Sequence, residues 1–222
     1  MNIKELVNLI KIQTLPVTPI SNLFGIDRGK AIDRVYVEEF MSNHAALIRG
    51  TVVEIGDDNY TRQFGQNNVE KSLILQLDGV GDNVLIANLE TGEGVLPDVC
   101  DCIILPQTLP FIANASIAVA NVFKMLKPNG VMLTSLSGIT PVSRYDMDRW
   151  GHYCNYTDMG LKCLLSPYFN ESNTEIYSYG NVKTATAFLY GLAAHELNKE
   201  DFKYHDKNYQ VSICAKAIKS CI

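Results

Sequence analysis

The sequence lacks any apolar run approaching the roughly 20 residues that a membrane span requires. Its first dozen residues also lack the pattern of a signal peptide, because Lys4, Glu5 and Lys11 interrupt the apolar positions. We therefore expect a soluble, cytoplasmic protein. At 222 residues, with 47% hydrophobic and 19% charged residues, the chain has the composition of one globular domain, in which residues 1–48 form an N-terminal helical cap.

A run of Lys or Arg is also missing, and the formal net charge is −5. Nucleic-acid binding depends on clustered positive charge, so this composition excludes a nucleic-acid groove. The expected partner is a small molecule or a glycan.

The six cysteines include no C-x-x-C pair and no repeated spacing typical of a zinc site or a disulfide framework. Cys102 and Cys214 lie in apolar runs, where a reduced cysteine acts as a small hydrophobe. His152 and Cys154 offer two metal ligands without a second pair, so no metal site is predicted.

Short β-branched runs alternate with helical segments from Thr51 onward, which predicts an α/β fold with a doubly wound, mostly parallel seven-stranded sheet. The last run alternates apolar and polar residues and is expected to be antiparallel. The predicted strands are 51–55, 73–77, 84–87, 101–105, 131–135, 175–179 and 209–217.

Helical patterns fill the intervals between these strands. A short amphipathic helix is predicted in the first dozen residues, and a second is predicted from an N-cap at Asp33 to Met41. Further helices are predicted over 112–126 and 184–197, with a weaker one that opens at Thr157.

One junction conflicts with a parallel sheet. Only residues 79–83 separate the second strand from the third, whereas a parallel crossover normally takes a dozen residues or more. Taken alone, 73–89 has the pattern of a β-hairpin. The motifs described next require a parallel pair joined by an extended loop.

Five motifs occur in a fixed order between Thr51 and Ser135. The sequence resembles the class I S-adenosylmethionine-dependent methyltransferases at these motifs, specifically a small bacterial type. The motifs are Val53-Glu54-Ile55-Gly56, Asp78, Ala87-Asn88-Leu89, Leu96-Pro97-Asp98-Val99-Cys100-Asp101 and Leu126-Lys127-Pro128-Asn129-Gly130.

A subgroup associated with glycan and glycosyltransferase pathways is similar in further segments. They are Gly56-Asp57-Asp58-Asn59-Tyr60-Thr61, Asp27-Arg28-Gly29, Gln107-Thr108-Leu109, Trp150-Gly151 and Gly180-Asn181-Val182. The resemblance implies a methyltransferase-like Rossmann fold, S-adenosylmethionine as cofactor, and association with glycosyltransferases.

The resemblance also implies a set of cofactor-binding residues. Gly56 lets backbone approach the ligand, and Asp78 accepts hydrogen bonds from the ribose hydroxyls. Asn88 and Leu89 contact the adenine. We further expect contacts from Glu54, Asp57 and Tyr36, with Asp57 on the cofactor's amino group and Tyr36 folded over the pocket.

Methyl transfer to a hydroxyl is helped by a general base, and this fold places acceptor-facing groups after the fifth strand. The candidates there are His152 and Asp146, while Gln107 after the fourth strand is placed to orient the acceptor. A structural role for His152 stays open.

Two function classes remain. The first is methyl transfer to an oxygen of a sugar or small metabolite, in surface-glycan biosynthesis. The second is a non-catalytic methyltransferase-like binding domain, because Asp58 replaces the second glycine of the usual E-x-G-x-G turn. A nicotinamide oxidoreductase is disfavoured because G-x-G-x-x-G is absent.

Overall fold

The predicted succession of strands forms the centre of the molecule. A computed structural model describes residues 13–220, and seven strands within that range form one sheet in the order β3-β2-β1-β4-β5-β7-β6. Neighbours among β1 to β5 pair in parallel, and β7 pairs antiparallel with both β5 and β6. The predicted fold class is therefore confirmed. The bounds are β1 Gly50–Ile55, β2 Val69–Gln76, β3 Val84–Ile86, β4 Cys100–Pro106, β5 Leu126–Ser137, β6 Thr174–Tyr179 and β7 Ser212–Ile218.

Helices cover both faces of this sheet, which is why the central strands are apolar on both sides. Val52 and Ile104 pack toward α1 and α5, whereas Val53 and Ile103 pack toward α2 and α4. The helices are α1 Ile32–Asn43, α2 Ala115–Met125, α3 Arg144–Met147, α4 Asp158–Leu165 and α5 Val182–Leu189.

Three predicted helix boundaries are wrong. The helix predicted over 112–126 begins at Ala115, after its N-cap Asn114. Asp33 lies within the first turn of α1 rather than at its N-cap, which is Ala31. The helix predicted over 184–197 ends at Leu189, because Gly191 adopts a left-handed conformation with φ +71° and turns the chain. The helix predicted for the first dozen residues lies outside the described residues.

The junction between β2 and β3 is parallel, as the motifs required, and no helix is present in residues 77–83. Pairing extends only from Ile74–Val84 to Gln76–Ile86, so the chain has to return only about 7 Å along the strand direction before β3 begins. Seven residues are enough for that distance. Gly79, at φ +144°, supports the turn.

The segment before α1 packs beside the end of α5. The Ile20 amide donates to the Tyr190 carbonyl at 2.8 Å, and Ala31 forms a β-bridge with Ala193. Arg28 forms an ion pair with Glu196. The assignment of residues 1–48 to a helical cap stays a prediction.

The cysteines in the sheet pack as small hydrophobes. Cys102 and Cys214 are buried, and burial raises the pKa of both thiols above their usual range. Within residues 13–220, no group of three His, Cys, Asp or Glu side chains is placed to hold a metal ion. In the same range, no helix is long and apolar enough to cross a membrane.

Candidate functional site

A cleft of about 770 Å³ lies across the carboxyl ends of the parallel strands. Its walls come from the turns after β1, β2, β3 and β4, and from the segment around α3 that follows β5. Among the residues that line the cleft are Gly56, Asp78, Asn88, Leu89, Glu90, Gln107, Phe111, Ile112, Asp146, Arg149 and Trp150.

Gly56 directly follows β1 and lines this cleft. Its φ is +82°, a left-handed conformation that favours glycine, and a Cβ placed there would meet no atom within 4 Å. The conformation therefore requires the glycine, and the space above it is open. The backbone of Gly56 is held by its amide to the Leu75 carbonyl at 3.1 Å and by the Gln76 side chain, which donates to its carbonyl at 3.0 Å.

Glu54 lies beneath the turn and does not line the cleft. Its carboxylate accepts from the amide of Tyr60 at 3.1 Å, and from the amide and hydroxyl of Thr61, both at 2.7 Å. Burial raises the pKa of Glu54 above its usual range, and the hydrogen bonds from Thr61 and Tyr60 oppose that shift. Glu54 thus fixes the start of the helical turn after Gly56.

The two acids after Gly56 do not line the cleft. Asp57 accepts from the amide of Asn59 at 3.0 Å and from its side-chain nitrogen at 2.7 Å. Asp58 pairs with Arg62 at 2.8 Å. Since φ at Asp58 is not positive, this turn needs no second glycine.

Asp78 follows β2 and lines the cleft, as predicted. Its carboxylate has no hydrogen-bond or ion-pair partner within the described part of the chain, residues 13–220. The carboxylate is exposed and free to accept hydrogen bonds from a ligand.

Asn88 and Leu89 line the same wall, after β3. The Asn88 side-chain oxygen accepts from the amides of Glu90 and Thr91 at 2.8 and 3.2 Å, which holds the loop in a turn. Leu89 is buried, and its carbonyl accepts from Asn121 at 2.8 Å. The side-chain nitrogen of Asn88 remains as a donor toward the cleft.

Gln107, directly after β4, lines the cleft in a strained conformation. Its φ is +49°, which is uncommon for a residue other than glycine. Its amide donates to the Ser135 carbonyl at 2.8 Å, whereas its side-chain Nε2 is buried and has no hydrogen-bond partner among residues 13–220. Backbone strain and an orphan buried donor at one residue are typical of a ligand site.

The segment after β5 brings Asp146 to the cleft but not His152. Asp146 accepts a hydrogen bond from the Ser143 hydroxyl at 2.5 Å. His152 Nδ1 accepts from the Ser143 amide at 3.3 Å, its Nε2 bonds Asn155 at 2.8 Å, and its ring packs on Phe111. Both ring nitrogens are therefore occupied, which favours the structural role for His152.

Tyr36 lies on the opposite side of the sheet from α2, in the cluster around α1. It is fully buried, its hydroxyl donates to Thr184 at 3.0 Å, and its ring stacks on Tyr179. The structure therefore does not bring Tyr36 to the cleft. Its burial follows from its position on the inward face of α1.

Several lining residues were not singled out from the sequence. Phe111 and Ile112 form an apolar wall after Gln107, and Arg149 lies between Asp146 and Trp150. Phe111 and Ile112 could have been found, because they lie within six residues of the carboxyl end of the parallel strand β4. Arg149 gives no comparable signal, since one arginine near a short helix is usually a surface residue.

Comparison with solved structures identifies the fold. The chain is similar to an S-adenosylmethionine-dependent methyltransferase from Thermotoga maritima at TM-score 0.56 and 13% identity, covering 85% of this chain and 92% of that one. It is also similar to the N-methyltransferase NodS from Bradyrhizobium japonicum in complex with S-adenosylhomocysteine, at TM-score 0.53 and 11% identity, covering 86% and 89%.

A third structure, the [4+2]-cyclase SpnF, has TM-score 0.54 and 15% identity, covering 99% of this chain and 93% of that one. No family model matches the chain, and no curated protein matches its sequence. At these identities the comparisons establish the methyltransferase fold and leave the reaction to be argued from the cleft.

Proposed function

We propose that this protein binds S-adenosylmethionine in the cleft and transfers its methyl group to an oxygen of a sugar or another small metabolite. One observation carries the proposal: the cleft lies at the carboxyl ends of parallel strands, with an open glycine after β1 and an unpartnered carboxylate after β2. Ligands of doubly wound folds bind at this edge.

The residues of the cleft fit the cofactor. Gly56 leaves room for a ligand against the backbone, and Asp78 would accept from both ribose hydroxyls. Asn88 would bond the adenine edge, while Leu89 and Ile112 would pack against its rings. Asp57 is close to the turn, but its carboxylate already bonds Asn59, so it is the weakest of the predicted contacts.

Residues on the acceptor side would align the nucleophile. S-adenosylmethionine, when bound, supplies a methyl group on a cationic sulfur, a good leaving group. The protein then has to hold the acceptor oxygen close and in line. Gln107 Nε2 would donate to an acceptor oxygen, which would satisfy a donor that is otherwise orphaned.

Asp146 is the residue we assign as general base. Ser143 holds one of its carboxylate oxygens at 2.5 Å, which leaves the other to accept the proton of the acceptor hydroxyl. His152 would act as a positioning residue, because it holds the backbone of Ser143. A role in a glycan pathway, alongside glycosyltransferases, rests on the resemblance of the motifs.

A second candidate is a methyltransferase-like domain that binds a ligand without methyl transfer. The cyclase SpnF, named for a reaction other than methyl transfer, carries a similar fold and favours this candidate. This candidate predicts weak cofactor binding or none.

Isothermal titration calorimetry with S-adenosylhomocysteine tests the proposal. We expect one site per chain, with S-adenosylmethionine competing for it. Absence of heat at millimolar ligand would reject the cofactor assignment and favour the second candidate. An oxygen-directed reaction is then tested with radiolabelled cofactor and a panel of sugar acceptors, where label must appear in an alkali-stable methyl ether.

A further inference from the structure

Arg149 is a cation in a cleft whose other charged lining residues are carboxylates. Asp78, Glu90 and Asp146 line the cleft with it, and Lys does not occur among the lining residues. Within residues 13–220, no carboxylate forms an ion pair with Arg149. Its charge is thus left for a ligand.

The guanidinium is held in place without a counter-ion. Arg149 Nη1 donates to the Tyr145 carbonyl at 2.8 Å, and Cζ lies 3.4 Å from the centre of the Tyr145 ring. Stacking fixes the plane of the guanidinium and leaves further N–H groups for a bidentate contact.

The neighbouring carboxylates bond residues other than Arg149. Asp146 accepts from Ser143, and Asp148 pairs with Arg144 at 3.4 Å. The ion pair of Asp148 is thus made with Arg144 and not with Arg149.

The sheet order places Arg149 at the opposite end of the cleft from Asp78 and Glu90. Asp78 follows β2 and Glu90 follows β3, and these two strands lie at one end of the sheet. Arg149 and Trp150 follow β5, which lies on the far side of β1 and β4 from β2 and β3. Gln107, with its orphan Nε2, follows β4 between the two sides. The Arg149 side is therefore the part left for the acceptor when the cofactor occupies the turns after β1 to β3.

We infer that the acceptor carries an oxyanion, a phosphate or carboxylate on a sugar-like polyol, which binds Arg149 while a neighbouring oxygen accepts from Gln107. The half-exposed ring of Trp150 provides a stacking surface beside it. This inference rests on the proposed function and adds the class of substrate to it. Arginine suits an oxyanion because its fork matches two oxygens at once.

Trp150 is the single tryptophan of the chain, so its fluorescence reports directly on this part of the cleft. Protein saturated with S-adenosylhomocysteine is titrated with glucose 1-phosphate, glucuronate and glucose. At least one of the two anionic probes should bind about tenfold or more tightly than glucose, the range expected for charge-assisted hydrogen bonds.

Arg149→Gln should abolish that preference while leaving the circular dichroism spectrum unchanged. Arg144→Gln is the matched control, because it removes the same charge from the same segment after β5 at a residue that does not line the cleft. The control should keep the preference for the anionic probe within about twofold, since exposed charges contribute little at this distance in salt.

Three results would overturn the inference: equal binding of glucose and both anions, an unchanged preference in Arg149→Gln, or an equal loss in Arg144→Gln. The alternative ligand of Arg149 is the carboxylate of the cofactor, and calorimetry with S-adenosylhomocysteine distinguishes it from the acceptor. If Arg149→Gln weakens S-adenosylhomocysteine as much as it weakens the anionic probe, the acceptor assignment is wrong. The affinity of the wild-type protein for S-adenosylhomocysteine is measured separately. It tests the proposed function and not the assignment of the acceptor.

Discussion

Replacing Asp78 should weaken cofactor binding without weakening the fold. Its carboxylate is exposed and has no partner among residues 13–220, so its removal breaks no interaction of the folded chain. Hydrogen bonds to a charged acceptor contribute about 1.5–3 kcal/mol each, and exposure favours the lower value. Two ribose hydroxyls then give about 3 kcal/mol, or roughly a hundredfold in affinity.

Asp78→Ala should therefore raise the Kd of S-adenosylhomocysteine roughly a hundredfold, and Asp78→Asn, which keeps one acceptor oxygen, roughly tenfold. Calorimetry measures both, and thermal unfolding without ligand should show midpoints within about 1 °C of the wild type. Asp82→Asn is the control, because Asp82 is an exposed acid of the same connection that does not line the cleft. A change below twofold in Asp78→Ala, or an equal loss in Asp82→Asn, would refute the ribose assignment.

Three other substitutions test separate parts of the site and fold. Gln107→Leu removes the orphan donor and should raise the free energy of unfolding in urea by about 1 kcal/mol while reducing methyl transfer; a loss of stability would contradict the unsatisfied state of Nε2. Glu54→Gln places a donor against the amides of Tyr60 and Thr61 and should cost about 2–3 kcal/mol in the same assay, so an unchanged value would reject its anchoring role. The hydrogen bond from Arg28 lowers the pKa of Glu196 to about 2 from 4.5, so this acid stabilises the fold above pH 4.5 and the contribution is lost as pH falls toward 2. Glu196→Gln should lower the thermal midpoint at pH 7, and calorimetric scans should show the gap closing below about pH 4.5; a gap independent of pH would contradict the pKa shift.

The sheet could be predicted because its strands carry their own signals. β-branched runs, Gly56 and the stop around Pro128 mark the strands and turns locally, and the order of motifs supplied the topology. The junction at Gly79 needed those motifs, since local pattern alone favours a hairpin. Local pattern could not show the direction of pairing, which is parallel over only three residue pairs, and pairing this short makes a short parallel connection feasible.

The cleft was predictable in part, and the reason differs between residues. Gly56, Asp78 and Gln107 follow strands directly, so the fold itself carries them to the cleft. The positions of Tyr36 and His152 instead depend on how α1 and the long segment after β5 pack against the rest of the molecule. Tyr36 occupies the buried face of α1, and the ring nitrogens of His152 bond Ser143 and Asn155.

The short connection between β2 and β3 also affects how this sheet can fold. Ile74 pairs with Val84 only ten positions later, whereas Val131 pairs with Ile218 near the other end of the chain. Contacts between residues close in sequence form faster, because little loop entropy is lost when they meet. The strand pair that carries Asp78 thus has the low contact order of a hairpin, although its strands are parallel. This pair can form before the antiparallel strands on the far side of the sheet are in place.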